Sequence, residues 1–434
     1  MSNTEIPRID TQRVVTDQAV TLGRTLAASV GLLLMWLSFE PFNGGRPFEQ
    51  GGSLINQIGY TGLVGLLLIA LVVCVPPRVA SRLISLPWLM LFGWVIFSGL
   101  FVSAIGDVAM RGALFSVIVA LMAALIVVCL PSERALLTAL AVAASIILGL
   151  SYAGLVLLPD GAVHTAFEAE PQHSGLWRGV FVHKNVAGPA MALVMFSGIY
   201  VARRYSLTLG LMIAFSALLF VFQTGSKTSL ALAPLVLGMV LVPIAFGFRF
   251  LVPIIAVISI VMAHALTLGT IYFDAFDGIV RTISPDTTFT GRTEIWTFAN
   301  KYLFEKPITG FGYAGFWTTD YVLNAEQPFD RSWDPRGIIH GHNGYLDALL
   351  IFGVPGLVLI TWVTIFSPAY QYAFAVRTAA NDAANDFFYM IAVFAALNSS
   401  LESFFFNRAD PVWLTLVFAL FGLRLASWLR ISKA

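Results

Sequence analysis

Apolar stretches close to 20 residues long recur along most of this chain, too many and too long for a water-soluble core. A helix needs about 20 residues to cross the hydrocarbon layer of a bilayer. In lipid a spanning segment must satisfy its own backbone groups, so each stretch is predicted to be a helix. Composition agrees: 58% of the 434 residues are hydrophobic and 11% charged, against roughly 25% charged in soluble domains. Mean hydropathy is +0.82. These values exclude a cytosolic enzyme, a nucleic-acid binder and a disulfide scaffold. Cys74 and Cys129 sit inside apolar runs and read as small buried hydrophobes. The first twenty residues are polar, carry acids and do not resemble a cleavable signal, so the first span is expected to remain as an anchor.

The expected fold is an all-α integral membrane protein with about twelve spans. They lie roughly at 21–39, 54–76, 86–105, 112–130, 135–158, 185–202, 206–223, 228–247, 250–272, 343–366, 384–401 and 411–428. Three parts follow. Residues 1–272 form an N-terminal bundle of about nine spans that includes an outer loop at 159–184. Residues 273–342 form a helical loop subdomain between spans nine and ten, and 343–434 hold the remaining spans. An even number of spans puts both termini on one side, where thirteen Lys and Arg residues collect. The other side holds twelve, but six of them lie in 273–342, and long loops weigh little in the positive-inside rule. Both termini are therefore expected in the cytoplasm, with the two long loops facing the periplasm across the bacterial inner membrane. Loops of such length generally have a functional reason. No inverted duplication of interrupted helices suggests a secondary transporter.

The unusual residues gather in those loops. Arg178, His183 and Lys184 reach the outer surface together in Trp177-Arg-Gly-Val-Phe-Val-His-Lys-Asn185, against the positive-inside trend. They read either as an interfacial anchor with Trp177 and Phe181 or as an anion site. Lys227, among the hydroxyls of Thr224, Ser226 and Thr228, starts the next helix but one and suits a phosphate or a plain turn. Arg292 heads an amphipathic helix bearing Trp296, which the pattern ends at Pro307. His340 and His342 lack further metal-ligand spacing, so His342 reads as a proton-transfer group beside Asn343. Glu402 and Arg408 lie on the same side, as functional groups or as a local ion pair. Aromatics crowd the long loop, from Trp296, Phe298 and Tyr302 to Phe329 and Trp333. They suit either a core or sugar recognition with Asp320, Asn324, Asp330 and Asp334. His264, within a span, reads as a packed, hydrogen-bonded residue.

Three motifs, Arg178-Gly-Val-Phe-Val-His-Lys-Asn185, Gly291-Arg-Thr-Glu-Ile-Trp296, and His342-Asn343 with nine residues before Gly353-Val-Pro-Gly356, carry a likeness. Together they resemble the O-antigen ligase/polymerase family of bacterial envelope enzymes over roughly 175–360, the first motif leaning to its exopolysaccharide polymerases. The resemblance implies an inverting, metal-independent GT-C-type glycosyltransferase with no cofactor. Its donor would be an oligosaccharide on undecaprenyl pyrophosphate, and its acceptor a glycan or another lipid-linked chain. Chain-length regulators or export proteins would be further partners, beside membrane lipid. The chemistry expected here is charge stabilisation of a departing pyrophosphate by Arg178 and Arg292, supported by Lys184, Lys227 and His183. His342 orients or deprotonates the acceptor, and Asn343, Trp296, Glu402 and Arg408 contribute to binding. The competing readings are a ligase with the same donor and a terminal acceptor such as lipid A-core, a lipid-linked glycan flippase or exporter, and a non-catalytic assembly subunit. A flippase would need charges along a path between both faces, and the mid-span regions carry almost none.

Overall fold

A computed structural model describes residues 11–44, 53–168, 170–283, 286–326, 334–378 and 381–431. Each of the twelve expected stretches contains a helix: α1 (Thr11–Leu37), α2 (Leu54–Cys74), α3 (Leu86–Phe97), α4 (Asp107–Cys129), α5 (Glu133–Leu157), α6 (Lys184–Arg204), α7 (Leu207–Gln223), α8 (Lys227–Ala245), α9 (Val252–Leu266), α11 (Gly344–Thr361), α12 (Asp382–Asn398) and α13 (Pro411–Trp428), with α10 (Arg292–Asn300) in the long loop. Among the described residues no strand forms; one isolated bridge joins Val163 to Trp177. Nine of the described helices are long and apolar enough to cross a membrane. A tenth arises if Pro77–Leu83 and Leu86–Val102, bent by 52°, make one span. The chain is a multi-pass, all-helical membrane protein.

Polar residues just outside the apolar runs set where helices begin. The side chains of Ser53, Ser132, Ser206, Ser226, Asn343 and Asp410 each accept a hydrogen bond from a first-turn backbone N–H, filling a donor that the helix leaves open. His183 does the same for α6 through its Nδ1. The packing then sorts the helices. α4, with Ala109, Gly112, Ala113, Ala120 and Ala123 buried, and α12 and α13 occupy the interior. Small residues let neighbouring helices approach where lipid supplies no hydrophobic drive. α12 has only 17 residues, yet a helix enclosed by protein need not match the bilayer's thickness. α2 lies outside and turns Val72 and Val73 outward.

The long loop has a core of its own. Ile295, Trp296 and Ala299 of α10 pack with Leu303, Phe311, Phe316, Trp317 and Val322, and with Leu346 and Leu350 of α11. α10 ends at Asn300, before the expected Pro307, and turns carry the chain on. The loop also enters α11 itself. At Gly353 the helix breaks, with φ +65° and ψ −171°. The Val354 N–H then donates to the Pro307 carbonyl, while Phe311 and Gly312 N–H donate to the Leu350 and Ile351 carbonyls. A side chain at 353 would collide with the Ile308 carbonyl, so the glycine of Gly353-Val-Pro-Gly356 serves both a positive φ and a close approach.

Candidate functional site

Glu402, in the turn between α12 and α13, is the shared point of the site. Arg292 Nη2 donates to its Oε1 at 2.6 Å, and His342 Nδ1 meets its Oε2 at 3.2 Å. The three come from positions 110 and 60 residues apart in sequence. Burial pushes the Glu402 carboxyl pKa up, but the His342 hydrogen bond and the Arg292 charge outweigh it and hold it at about 2. An ionised carboxylate can only accept, so the neutral tautomer that pairs with it carries its proton on Nδ1 and its lone pair on Nε2. Lys184, at the start of α6, is within electrostatic reach of Glu402, Glu170, Arg292 and Lys227. Arg292, Lys184 and Lys227 thus bring three cations to this corner of the molecule. Arg292 Nε and His340 Nδ1 are buried there and make no hydrogen bond, open polar capacity of the kind a ligand fills.

His342 is held in a strained backbone, at φ +50°. Asp347, on the first turns of α11, accepts the Gly341 N–H with both oxygens, at 3.1 and 2.8 Å, and the Trp317 indole N–H at 2.8 Å. The Gly341 carbonyl in turn accepts the Trp296 indole N–H at 2.9 Å. Gly341 therefore ties the histidine hook to α10, the carrier of Arg292, and to α11. Asn343 caps α11 through Leu346 N–H and donates to the Ser400 carbonyl at 3.0 Å, next to Glu402. His340 packs edge-on to His342, ring centroids 4.2 Å apart, and burial with the neighbouring His342 lowers its pKa to about 3.

A second network lies in the loop before α6. Arg178 is fully buried. Its Nη1 donates to Glu168 at 2.8 Å, Nε to the Gly161 carbonyl at 3.0 Å and Nη2 to the Asp160 carbonyl at 2.7 Å. Glu168 holds His164 Nδ1 at 2.9 Å, and His164 Nε2 accepts the Lys184 N–H at 3.1 Å. Burial raises the Glu168 pKa, but the Arg178, Thr165 and His164 hydrogen bonds bring it to about 2. Beside this chain, Glu170, His173 and His183 bring three potential metal-ligand atoms within 4.8 Å of one another.

Residues 190–361 match the O-antigen ligase family. A stretch of 201 residues is 26% identical to the exopolysaccharide production protein ExoQ of Rhizobium meliloti (strain 1021). That likeness covers 43% of this chain and 45% of ExoQ, so the chain spans less than half the length of this curated relative. Both findings agree with the O-antigen ligase/polymerase likeness carried by the motifs. The matched region holds Lys227, Arg292, Trp296, His342 and Asn343 and stops short of Arg178 and Glu402.

The structure corrects three expectations. Arg178 does not present its guanidinium at the surface: all three of its nitrogens donate to groups of its own loop, and it is fully buried. Trp296 is likewise fully buried, and Phe298, Phe311, Phe316 and Trp317 are buried with it, so these rings form a core rather than a sugar platform. Asn343 is buried as a helix cap. Phe329, Asp330 and Trp333 lie outside the described residues. Glu402 pairs with Arg292 and His342, while Arg408 lines a separate cavity of about 90 Å³ with Arg111, Asn56 and Gln57. His183 caps α6 and meets Glu170 at 2.8 Å. Lys227 is exposed at the start of α8. His264 is hydrogen-bonded to the Ile260 carbonyl, as expected. The sequence reading gives no role to Asp347, His164, Glu168 or Glu170, whose partners are set by loop folding rather than by spacing.

Proposed function

We propose that the protein polymerises lipid-linked oligosaccharide repeat units of a bacterial surface polysaccharide. It does so by inverting glycosyl transfer from an undecaprenyl-pyrophosphate-linked donor at the periplasmic face of the inner membrane. The observation that carries this reading is the Arg292–Glu402–His342 cluster with Lys184 and Lys227 beside it. The acceptor hydroxyl attacks the anomeric carbon on the face opposite the pyrophosphate. As the carbon–oxygen bond to the leaving group breaks, its electron pair moves onto the phosphate oxygen. Arg292, held by Glu402, stabilises that charge with Lys184 and Lys227 in support, and a preorganised cation contributes several kcal/mol to a transition state. The hydroxyl proton passes to His342 Nε2, the nitrogen left basic when Glu402 holds Nδ1. No metal ion is assigned to this reaction. Arg178 becomes a positioning residue that, through Glu168 and His164, sets the backbone of Lys184.

A ligase reading shares the donor site, and the family matched at 190–361 favours it, whereas the resemblance of the Arg178–Asn185 motif to exopolysaccharide polymerases, with the likeness to an exopolysaccharide production protein, favours polymerisation. Purified protein in nanodiscs, given lipid-linked repeat units alone, separates them. A ladder of products supports the polymerase; product only after lipid A-core or another terminal acceptor is added supports the ligase. Arg292→Ala should abolish either product while leaving the protein in the membrane. Near-normal product from that variant would remove the proposed chemistry.

A further inference from the structure

We propose that the loop between α5 and α6 carries a transition-metal site, fitted to Zn²⁺, built from Glu170 Oε2, His173 Nδ1 and His183 Nε2. Glu170 Oε2 lies 2.8 Å from His183 Nε2 and 3.4 Å from His173 Nδ1, and all three atoms fall within 4.8 Å of one another. Zinc bonds of about 2.0–2.2 Å in a tetrahedron place ligand atoms about 3.4 Å apart. One edge already has that length, and the Glu170–His183 edge opens by about half an ångström. A second observation points the same way. His173 Nδ1 is buried, and Glu170 Oε2 stands 3.4 Å away, outside the range of a well-formed hydrogen bond. A buried nitrogen at that distance from a carboxylate oxygen is placed as a ligand would be.

The donor set selects the ion. Two imidazoles and one carboxylate suit zinc, whereas magnesium and calcium require an oxygen shell. Water completes the fourth position. His164 stacks edge-on against His183 and His173, at centroid distances of 4.7 and 5.7 Å. Its own nitrogens are taken by Glu168 and by the Lys184 N–H, so it forms a wall of the site and not a ligand.

Binding has a defined consequence for α6. His183 Nδ1 accepts the Asn185 N–H, which leaves the neutral ring's proton on Nε2, pointing at Glu170. A metal on Nε2 displaces that proton to Nδ1, and the cap on Asn185 is released. The ion and the first turn of α6, which carries Lys184, are therefore coupled. The evidence for the site does not rest on the glycosyl-transfer reading.

The test is direct binding to tag-free, full-length protein in nanodiscs, stripped with EDTA and dialysed against Zn²⁺ with no glycan present. The expected result is one zinc per chain. Loss of outer-shell partners alone weakens metal sites 10- to 100-fold, so Glu170→Gln and His173→Gln should each weaken binding by at least about tenfold. His340→Gln, at the other histidine pair, should leave it unchanged. Monodisperse elution of each variant separates loss of the site from loss of the fold. Wild-type protein that takes up no stoichiometric zinc, or equal uptake by Glu170→Gln and His173→Gln, would overturn the proposal. Since no substrate is used, neither result depends on the polymerase reading.

Discussion

Replacing Glu402 with glutamine tests the cluster at the one group its parts share. The carboxylate is 15% exposed and takes the Arg292 guanidinium at 2.6 Å and the His342 ring at 3.2 Å. Burial alone would raise its pKa, yet His342 and Arg292 bring it from 4.5 to about 2. At about 1.4 kcal/mol for each pKa unit, ionised Glu402 contributes about 3 kcal/mol to the folded state. Because the folded pKa is the lower one, this contribution is complete above pH 4.5 and is lost as pH falls towards 2. By pH 3 about 2 kcal/mol of it is gone. Glutamine lacks the charge at every pH. Unfolding of the protein in nanodiscs, followed from pH 7 to pH 3, should therefore show the widest gap between wild type and Glu402→Gln at neutral pH. The gap should narrow by about 2 kcal/mol at the acid end. The rate should fall as well. A glutamine amide donating to His342 Nδ1 drives the proton onto Nε2, and the wrong tautomer of a catalytic histidine costs up to about 10⁴-fold in kcat. A stability gap that stays constant down to pH 3 would refute the electrostatic argument, since the loss would then come from shape and not from charge.

Three further outcomes follow from the same geometry. Asp347→Asn turns an amide N–H₂ towards Gly341 or Trp317, leaving a buried donor unpaired at about 1–3 kcal/mol. It should lower kcat at least about tenfold through the His342 hook, with the KM for the lipid-linked donor unchanged; a change confined to KM would contradict this positioning role. Arg178→Lys cannot reproduce three directed donors, so it should lower the unfolding midpoint before it weakens donor binding, as read by thermal shift and KM side by side. Gly353→Ala must adopt a positive φ and displace the Ile308 carbonyl. It should destabilise the protein by at least about 2 kcal/mol, visible as reduced yield of folded protein from membranes.

How much of this was legible in the sequence depends on the physics behind each signal. The helices were readable because lipid imposes one length and one backbone solution on any spanning segment. Arg292 and His342 stood out because the first heads an amphipathic helix and the second, beside Asn343, stands directly before an apolar run. What the sequence hides is where a donor points. An arginine at the end of an outer loop reads the same whether it faces a phosphate or, as Arg178 does, the carbonyls of Asp160 and Gly161. Aromatic residues are equally ambiguous: Trp296 and Trp317 look like a sugar platform in one dimension and prove to be the core that aligns Gly341. Glu402 was visible as an ionisable residue, but its pairing across 110 residues to Arg292 follows from tertiary packing alone.

The hidden contacts share a purpose. Left-handed backbone at a non-glycine residue costs of order 1–3 kcal/mol and persists only where surrounding structure over-determines it. At His342 the surroundings do so three times over: Asp347 holds the preceding N–H, Asn343 caps the helix that follows, and Glu402 fixes the ring. The break at Gly353 lets the long loop bond into α11 and so lock that helix to the subdomain carrying Arg292. A fold that merely needed to bridge two spans would have no reason to hold one histidine against such strain. The proposed glycosyl transfer supplies one, since it needs a basic nitrogen and a guanidinium held in fixed relation to one bond.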